Sequence, residues 1–115
     1  MSEQPIYLFK KGELPAGQVR KQVVGACELA VYNVDGTFYA TQDGCTHATA
    51  SLAEGEIVDG DLIACPVHDG TFHIPSGQPM GWPCEVALRT YKVTTQGDDV
   101  LVDLSQEADE AAGGI

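Results

Sequence analysis

Cys45-Thr46-His47 and, after seventeen intervening residues, Cys65-Pro66-Val67-His68 each offer one thiol and one imidazole within two or three positions. Pairs this close come from tight loops, which point both side chains at one centre. Cys45, His47, Cys65 and His68 together make a Cys2His2 donor set. Such a set binds Zn²⁺ tetrahedrally. It also holds a [2Fe–2S] cluster in which two imidazoles stand in for two thiolates on one iron. Zinc fingers usually pair Cys with Cys in one half and His with His in the other. The mixed halves here fit a cluster with one iron on two sulfurs and the other on two nitrogens. His73, five residues past His68, completes neither box and reads as a surface or strand-end histidine. Cys27 and Cys84 lie outside ligand spacing and read as buried thiols rather than a disulfide.

The elements that must position these loops are short and β-rich. Ile6–Phe9, Val19–Val24 and Leu29–Val34 have the β-branched and aromatic content of strands. A turn is expected at Leu14-Pro15-Ala16-Gly17. Asp35-Gly36 separates Leu29–Val34 from Thr37–Thr41, the strongest short-range signal for a hairpin, since both turn residues tolerate positive φ. Asp59-Gly60 repeats the device between Ile57-Val58 and Leu62-Ile63-Ala64, and this hairpin bridges the two Cys/His boxes. A third hairpin is expected from Leu88–Val93 through Gln96-Gly97-Asp98 to Val100–Leu104. No window has helical periodicity. The pattern predicts an all-β fold, an antiparallel sandwich or barrel.

With 115 residues the chain has room for one domain. Residues 1–104 form that domain in this reading, and 105–115, acidic and rich in Ala and Gly, form a flexible tail. Seventeen Asp and Glu against six Lys and Arg give a net charge of -11. That balance excludes a nucleic-acid or anionic-membrane surface, which needs clustered Lys and Arg. No apolar run approaches the roughly 20 residues of a membrane span. The N-terminus lacks the basic and apolar regions of a secretory signal, so a cytoplasmic protein is expected. Glu54, Glu56, Asp59, Asp61 and Asp69 read as solvated hairpin residues with a secondary role in steering basic partners.

CTH-x17-CPVH resembles the Rieske motif, and its setting is similar to the small Rieske ferredoxins of bacterial aromatic-ring-hydroxylating dioxygenases. The resemblance spans about residues 5–104. It includes LAVYNVDGTFYAT before the first box, LAEGEIVDGDLIACPVH through the second, and SGQPMGWPCEVALRTYKV after it. It implies the Rieske fold, with a small cluster-binding subdomain of hairpin loops at about 43–50, 65–73 and 79–84. It also implies one [2Fe–2S] cluster, with Cys45 and Cys65 on the inner iron and His47 and His68 on the outer one. Pro83 matches a position in the third loop that covers the cluster. Ala48 stands where the family commonly has Gly, and His73 where it usually has an acid.

The high-potential Rieske proteins of respiratory complexes add a disulfide between the boxes and Ser and Tyr donors after the second. Here Ala50 and Val67 occupy the cysteine positions, Gly70 the Ser position and Phe72 the Tyr position. The resemblance therefore implies a midpoint in the lower part of the roughly -150 to +300 mV Rieske range. The implied function is a soluble carrier of single electrons from an NAD(P)H-dependent ferredoxin reductase to the terminal oxygenase of a multicomponent dioxygenase, with no substrate turnover of its own. The alternatives are the Rieske-like small subunit of a nitrite reductase and a structural Cys2His2 zinc module. Trp82 reads either as a packed loop residue or as an exposed docking anchor.

Overall fold

At both Asp-Gly steps the backbone takes the left-handed conformation that the sequence calls for. Asp35 and Gly36 have φ of 55° and 97°, and Asp59 and Gly60 have φ of 50° and 89°. Residues 5–44, 50–67, 70–80 and 86–104 are described in the computed structural model of the chain. They form nine strands: β1 (Ile6–Lys10), β2 (Val19–Val24), β3 (Cys27–Val34), β4 (Thr37–Gln42), β5 (Glu56–Val58), β6 (Leu62–Ala64), β7 (Thr71–His73), β8 (Thr90–Gln96) and β9 (Asp99–Asp103). Single turns of 3-10 helix occupy Lys11–Glu13 and Leu52–Glu54. No helix among the described residues is long and apolar enough to cross a membrane.

All strand pairs are antiparallel, in a six-stranded sheet of order β1-β9-β8-β4-β3-β2 and a three-stranded sheet of order β5-β6-β7. The all-β expectation holds. Two local readings change. The β8–β9 turn is only Gly97-Asp98, because Gln96 still pairs with Asp99. Leu88 and Arg89 precede β8 rather than opening it. β7, three residues long, was not foreseen.

The large sheet curls into a nearly closed barrel. Its edges β1 and β2 approach each other, with the Arg20 guanidinium 4.7 Å from the centre of the Phe9 ring. Inside lie Leu8, Phe9, Leu14, Leu29, Val31, Phe38, Ala40, Val100 and Val102. The small sheet packs on the other face of β3 and β4 through a second cluster of Ala30, Tyr32, Leu52, Ile63, Cys65, Phe72, Ile74 and Leu88. Strand side chains alternate between faces, so β3 sends Leu29 and Val31 to the first core and Ala30 and Tyr32 to the second. Leu29 and Val31, fully withdrawn from water, contribute about 1.5–3 kcal/mol each. Burial holds the Tyr32 phenol above its ordinary pKa, so it stays protonated. Its hydroxyl lies 2.7 Å from Thr41 Oγ1, which itself donates to the Gln42 carbonyl.

Candidate metal centre

Three chain segments leave the sheets at one end of the molecule, and each leaves through a neck closed by backbone hydrogen bonds. The first neck follows β4: Gly44 bridges Ser51, and Leu52 N donates to the Asp43 carbonyl at 2.8 Å. The second joins β6 to β7, where Cys65 N donates to the Gly70 carbonyl at 2.8 Å. The third follows β7: Pro79 bridges Phe72, Met80 N donates to Thr71 O at 2.8 Å, and Leu88 N donates to Gly77 O at 2.8 Å. Loops were expected at about 43–50, 65–73 and 79–84; the second neck already closes at Gly70, because Thr71–His73 form β7.

The Asp59-Gly60 hairpin brings the first two necks together. The chain passes from Leu52 through its 3-10 turn into β5, reverses, and returns along β6 to Cys65. Leu52 and Cys65 are both fully buried and belong to one apolar cluster with Phe72, against which Ala50 and Val67 pack. Apolar packing thus stands where a disulfide would otherwise join the boxes. Gly55 makes the close approach possible, since a Cβ there would sit 2.0 Å from the Ala64 carbonyl oxygen.

Polar side chains fix the first neck in detail. Asp43, 2% exposed, accepts from Ser51 Oγ and Ala53 N at 3.0 Å each through Oδ1. Its Oδ2 lies 3.8 Å from Lys21 Nζ. A buried carboxylate is costly unless paired and hydrogen-bonded, and these three partners meet that requirement. Gln42 donates from Nε2 to the Gly44 carbonyl and accepts from Arg89 N at Oε1, both at 2.8 Å. It ties the first neck to the return of the third.

Of the four expected ligands, Cys65 is placed in this frame. Cys45, His47 and His68 lie outside the described residues, as do Ala48, Asp69, Trp82, Pro83, Cys84 and the 105–115 tail. Cys27 is half-buried at the start of β3, against the barrel core. His73 closes β7 as a strand-end histidine, with Nε2 3.0 Å from Asp61 Oδ2 and Nδ1 2.7 Å from Ser76 Oγ. It therefore fixes the β5–β6 turn to the turn after β7, a link that the sequence reading missed. Asp61 also lines, with Asp35 and Asp59, an open cavity of about 680 Å³ between the two Asp-Gly turns. That cavity lies at the opposite ends of β4 and β6 from Gly44 and Cys65. Gln42, Asp43, Gly55 and Gly77 were also not singled out by sequence. The visible signal was a polar triplet, Gln42-Asp43-Gly44, at a strand end directly before Cys45.

Among the described residues, the fit to a cluster with two sulfur and two nitrogen donors rests on Cys65. Cys65 places a fully buried thiol beside apolar walls at the mouth of its loop, and each box adds one imidazole to one thiol. An apolar wall beside a metal ligand limits solvent access and so tunes the potential.

Comparison with known proteins places these features in one family. Residues 4–92 match the Rieske [2Fe-2S] domain. The biphenyl dioxygenase ferredoxin subunit of Pseudomonas sp. (strain KKS102) is 42% identical over 96 residues, covering 84% of this chain and 88% of that one. A chain in the complex of reduced oxygenase and oxidized ferredoxin in carbazole 1,9a-dioxygenase superposes with a TM-score of 0.81 at 40% identity, covering 89% of this chain and 94% of the other. A structure described as a nitrite reductase NADPH small subunit reaches a TM-score of 0.75 at 21% identity, covering 86% and 97%, and shares the fold alone. The chain belongs to the Rieske [2Fe-2S] domain family, and the group that its loops take is one Rieske-type [2Fe–2S] cluster.

Proposed function

We propose that this protein is the ferredoxin component of an aromatic-ring dioxygenase system, passing single electrons from an NAD(P)H-dependent reductase to a terminal oxygenase. The observation that carries this reading is near full-length similarity to dioxygenase ferredoxins. Cys45 and Cys65 supply the two thiolates, and His47 and His68 the two imidazoles. When bound, the cluster supplies a one-electron couple. The chain's own residues do the rest. The necks at Gly44, Cys65 and Thr71 hold the donors in place. The apolar wall of Ala50, Leu52, Val67 and Phe72 keeps water from the sulfur side. The protein turns over no substrate itself, and it works in the cytoplasm, where its reductase draws on NAD(P)H.

Partner docking belongs at the same end, because electron transfer needs a short path to the cluster. Met80 and Val86 are 56% and 61% exposed and bracket the third loop. Single exposed apolar side chains are ordinary, and it is their place at the two sides of this loop that makes these two the contact candidates. Met80→Asp is expected to raise the ferredoxin concentration needed for half-maximal oxygenase turnover about tenfold, the effect of roughly 1.4 kcal/mol. The cluster's visible spectrum and iron content stay as in the parent, which separates weakened docking from cluster loss. An unchanged half-saturation concentration removes Met80 from the interface.

The functional reading is tested by reconstitution with a dioxygenase reductase and oxygenase. Substrate-dependent NADH oxidation should appear only when the reddish-brown, iron-loaded protein is added. A colourless protein that binds zinc, or a brown one that supports no turnover with any dioxygenase pair, overturns it.

A further inference from the structure

β4 ends in an unusual way, and the reason lies in one side chain. Ala40 and Thr41 pair regularly with Tyr91 and Thr90. In an antiparallel ladder the next pair, Gln42 and Arg89, would exchange both backbone bonds. Only one is made by the backbone, from Gln42 N to Arg89 O at 2.9 Å. The other, from Arg89 N, goes to the Gln42 side-chain Oε1 at 2.8 Å. The main-chain carbonyl of Gln42 is thereby released from the ladder and accepts from Thr41 Oγ1 instead. The chain can leave the sheet at Gln42 without orphaning Arg89.

The same amide then grips the departing chain, since Nε2 donates to Gly44 O at 2.8 Å. Gly44 directly precedes Cys45, and Arg89 follows Leu88, whose N–H closes the third neck on Gly77. One planar amide therefore sets the spacing between the strand that ends in the first box and the segment that returns from the third loop. Glutamine fits the task chemically: it must accept at one end and donate at the other. Glutamate lacks the donor, and leucine lacks both.

We propose that Gln42 is a positioning residue for the cluster, which fixes where the Cys45/His47 loop stands relative to the third loop. The proposal rests on the assignment of Cys45 and His47 as ligands. Substitution at Gln42 should therefore alter the cluster and not only the sheet. Gln42→Leu removes both bonds. Gln42→Glu keeps an acceptor for Arg89 N and sets a carboxylate against the Gly44 carbonyl. Both variants are expected to lose iron to a chelator about tenfold faster than the parent, the lower end of the cost of disturbing groups that orient metal ligands. Both are also expected to show displaced g-values in the reduced-state EPR spectrum. Far-ultraviolet circular dichroism should stay that of a β-protein in Gln42→Glu, where the ladder bond survives.

Parent-like g-values and iron-loss rates in Gln42→Glu overturn the proposal, whether or not Gln42→Leu folds. A lowered melting temperature in Gln42→Leu with an unaltered spectrum does so as well, because it leaves Gln42 only a ladder role. Cys45→Ser, measured alongside, separates the two levels. A full, unchanged cluster in Cys45→Ser sinks the ligand assignment, whereas unaltered Gln42 variants beside a cluster-free Cys45→Ser sink only the positioning role.

Discussion

Cys65→Ser is expected to yield a colourless protein with no rhombic EPR signal after reduction. The thiol is fully buried, and Ile63, Phe72 and Leu52, which share its apolar cluster, have no donor atom to replace it. Serine offers a hydroxyl that stays protonated at neutral pH, where the thiolate is the iron ligand. Disturbing groups that merely orient metal ligands costs roughly 10–100-fold in affinity, and removing a ligand outright should exceed that. Cys27→Ser is the matched control. It changes a half-buried thiol on the barrel side of the molecule and should leave iron content at the parent level. Iron and acid-labile sulfide assays read both variants. Full iron content in Cys65→Ser would remove that residue from the ligand set.

Gly55→Ala is expected to be strongly destabilising for a single added methyl. Gly55 has φ of -89°, an ordinary value for any residue. On conformational entropy alone, alanine at a compatible site would stabilise by about 0.4–1 kcal/mol. Space reverses the sign. The new Cβ would meet Ala64 O at 2.0 Å and the Leu52 carbonyl oxygen at 3.3 Å, so backbone must move. Forced overpacking costs typically about 1–3 kcal/mol and sometimes more. Each kcal/mol is worth about 4–8 °C of melting temperature in a domain near this size. The displaced carbonyl belongs to the residue before Cys65, so iron loss should quicken along with melting. Gly12→Ala supplies the contrast, since nothing lies within 4 Å of a Cβ there. It should melt at or slightly above the parent temperature. Equal melting of Gly55→Ala and parent would show that the hairpin yields more easily than its contacts imply.

The two Asp-Gly hairpins were readable because a two-residue signal carries its own physics: both positions need positive φ, and both residue types tolerate it. The four proposed ligand positions stood out in the sequence for a related reason, since a thiol and an imidazole two or three residues apart have few other uses. β7 was not readable. Thr71-Phe72-His73 is too short to show alternation, and it becomes a strand only because β6 pairs with it on one side while, on the other, His73 N donates to Gln78 O and Thr71 O accepts from Met80 N. The neck residues were hidden for the same cause. Asp43 looks like any loop acid until Ser51 and Ala53, eight and ten residues away, turn to it. Gln42 depends on Arg89, 47 positions along the chain. Gly77 has φ of 77°, and a Cβ there would lie 2.4 Å from Leu88 O, a contact with no local sequence signal. His73 keeps a polar role at a site where the family usually has an acid, by pairing with Asp61 and Ser76.

The alternation along β3 has an evolutionary consequence. Leu29 and Val31 answer only to the barrel, and Ala30 and Tyr32 only to the side that bears the loops. A substitution in the loop-bearing core can thus be accommodated without repacking the barrel, which is filled by separate residues. One strand serves two cores that can vary independently.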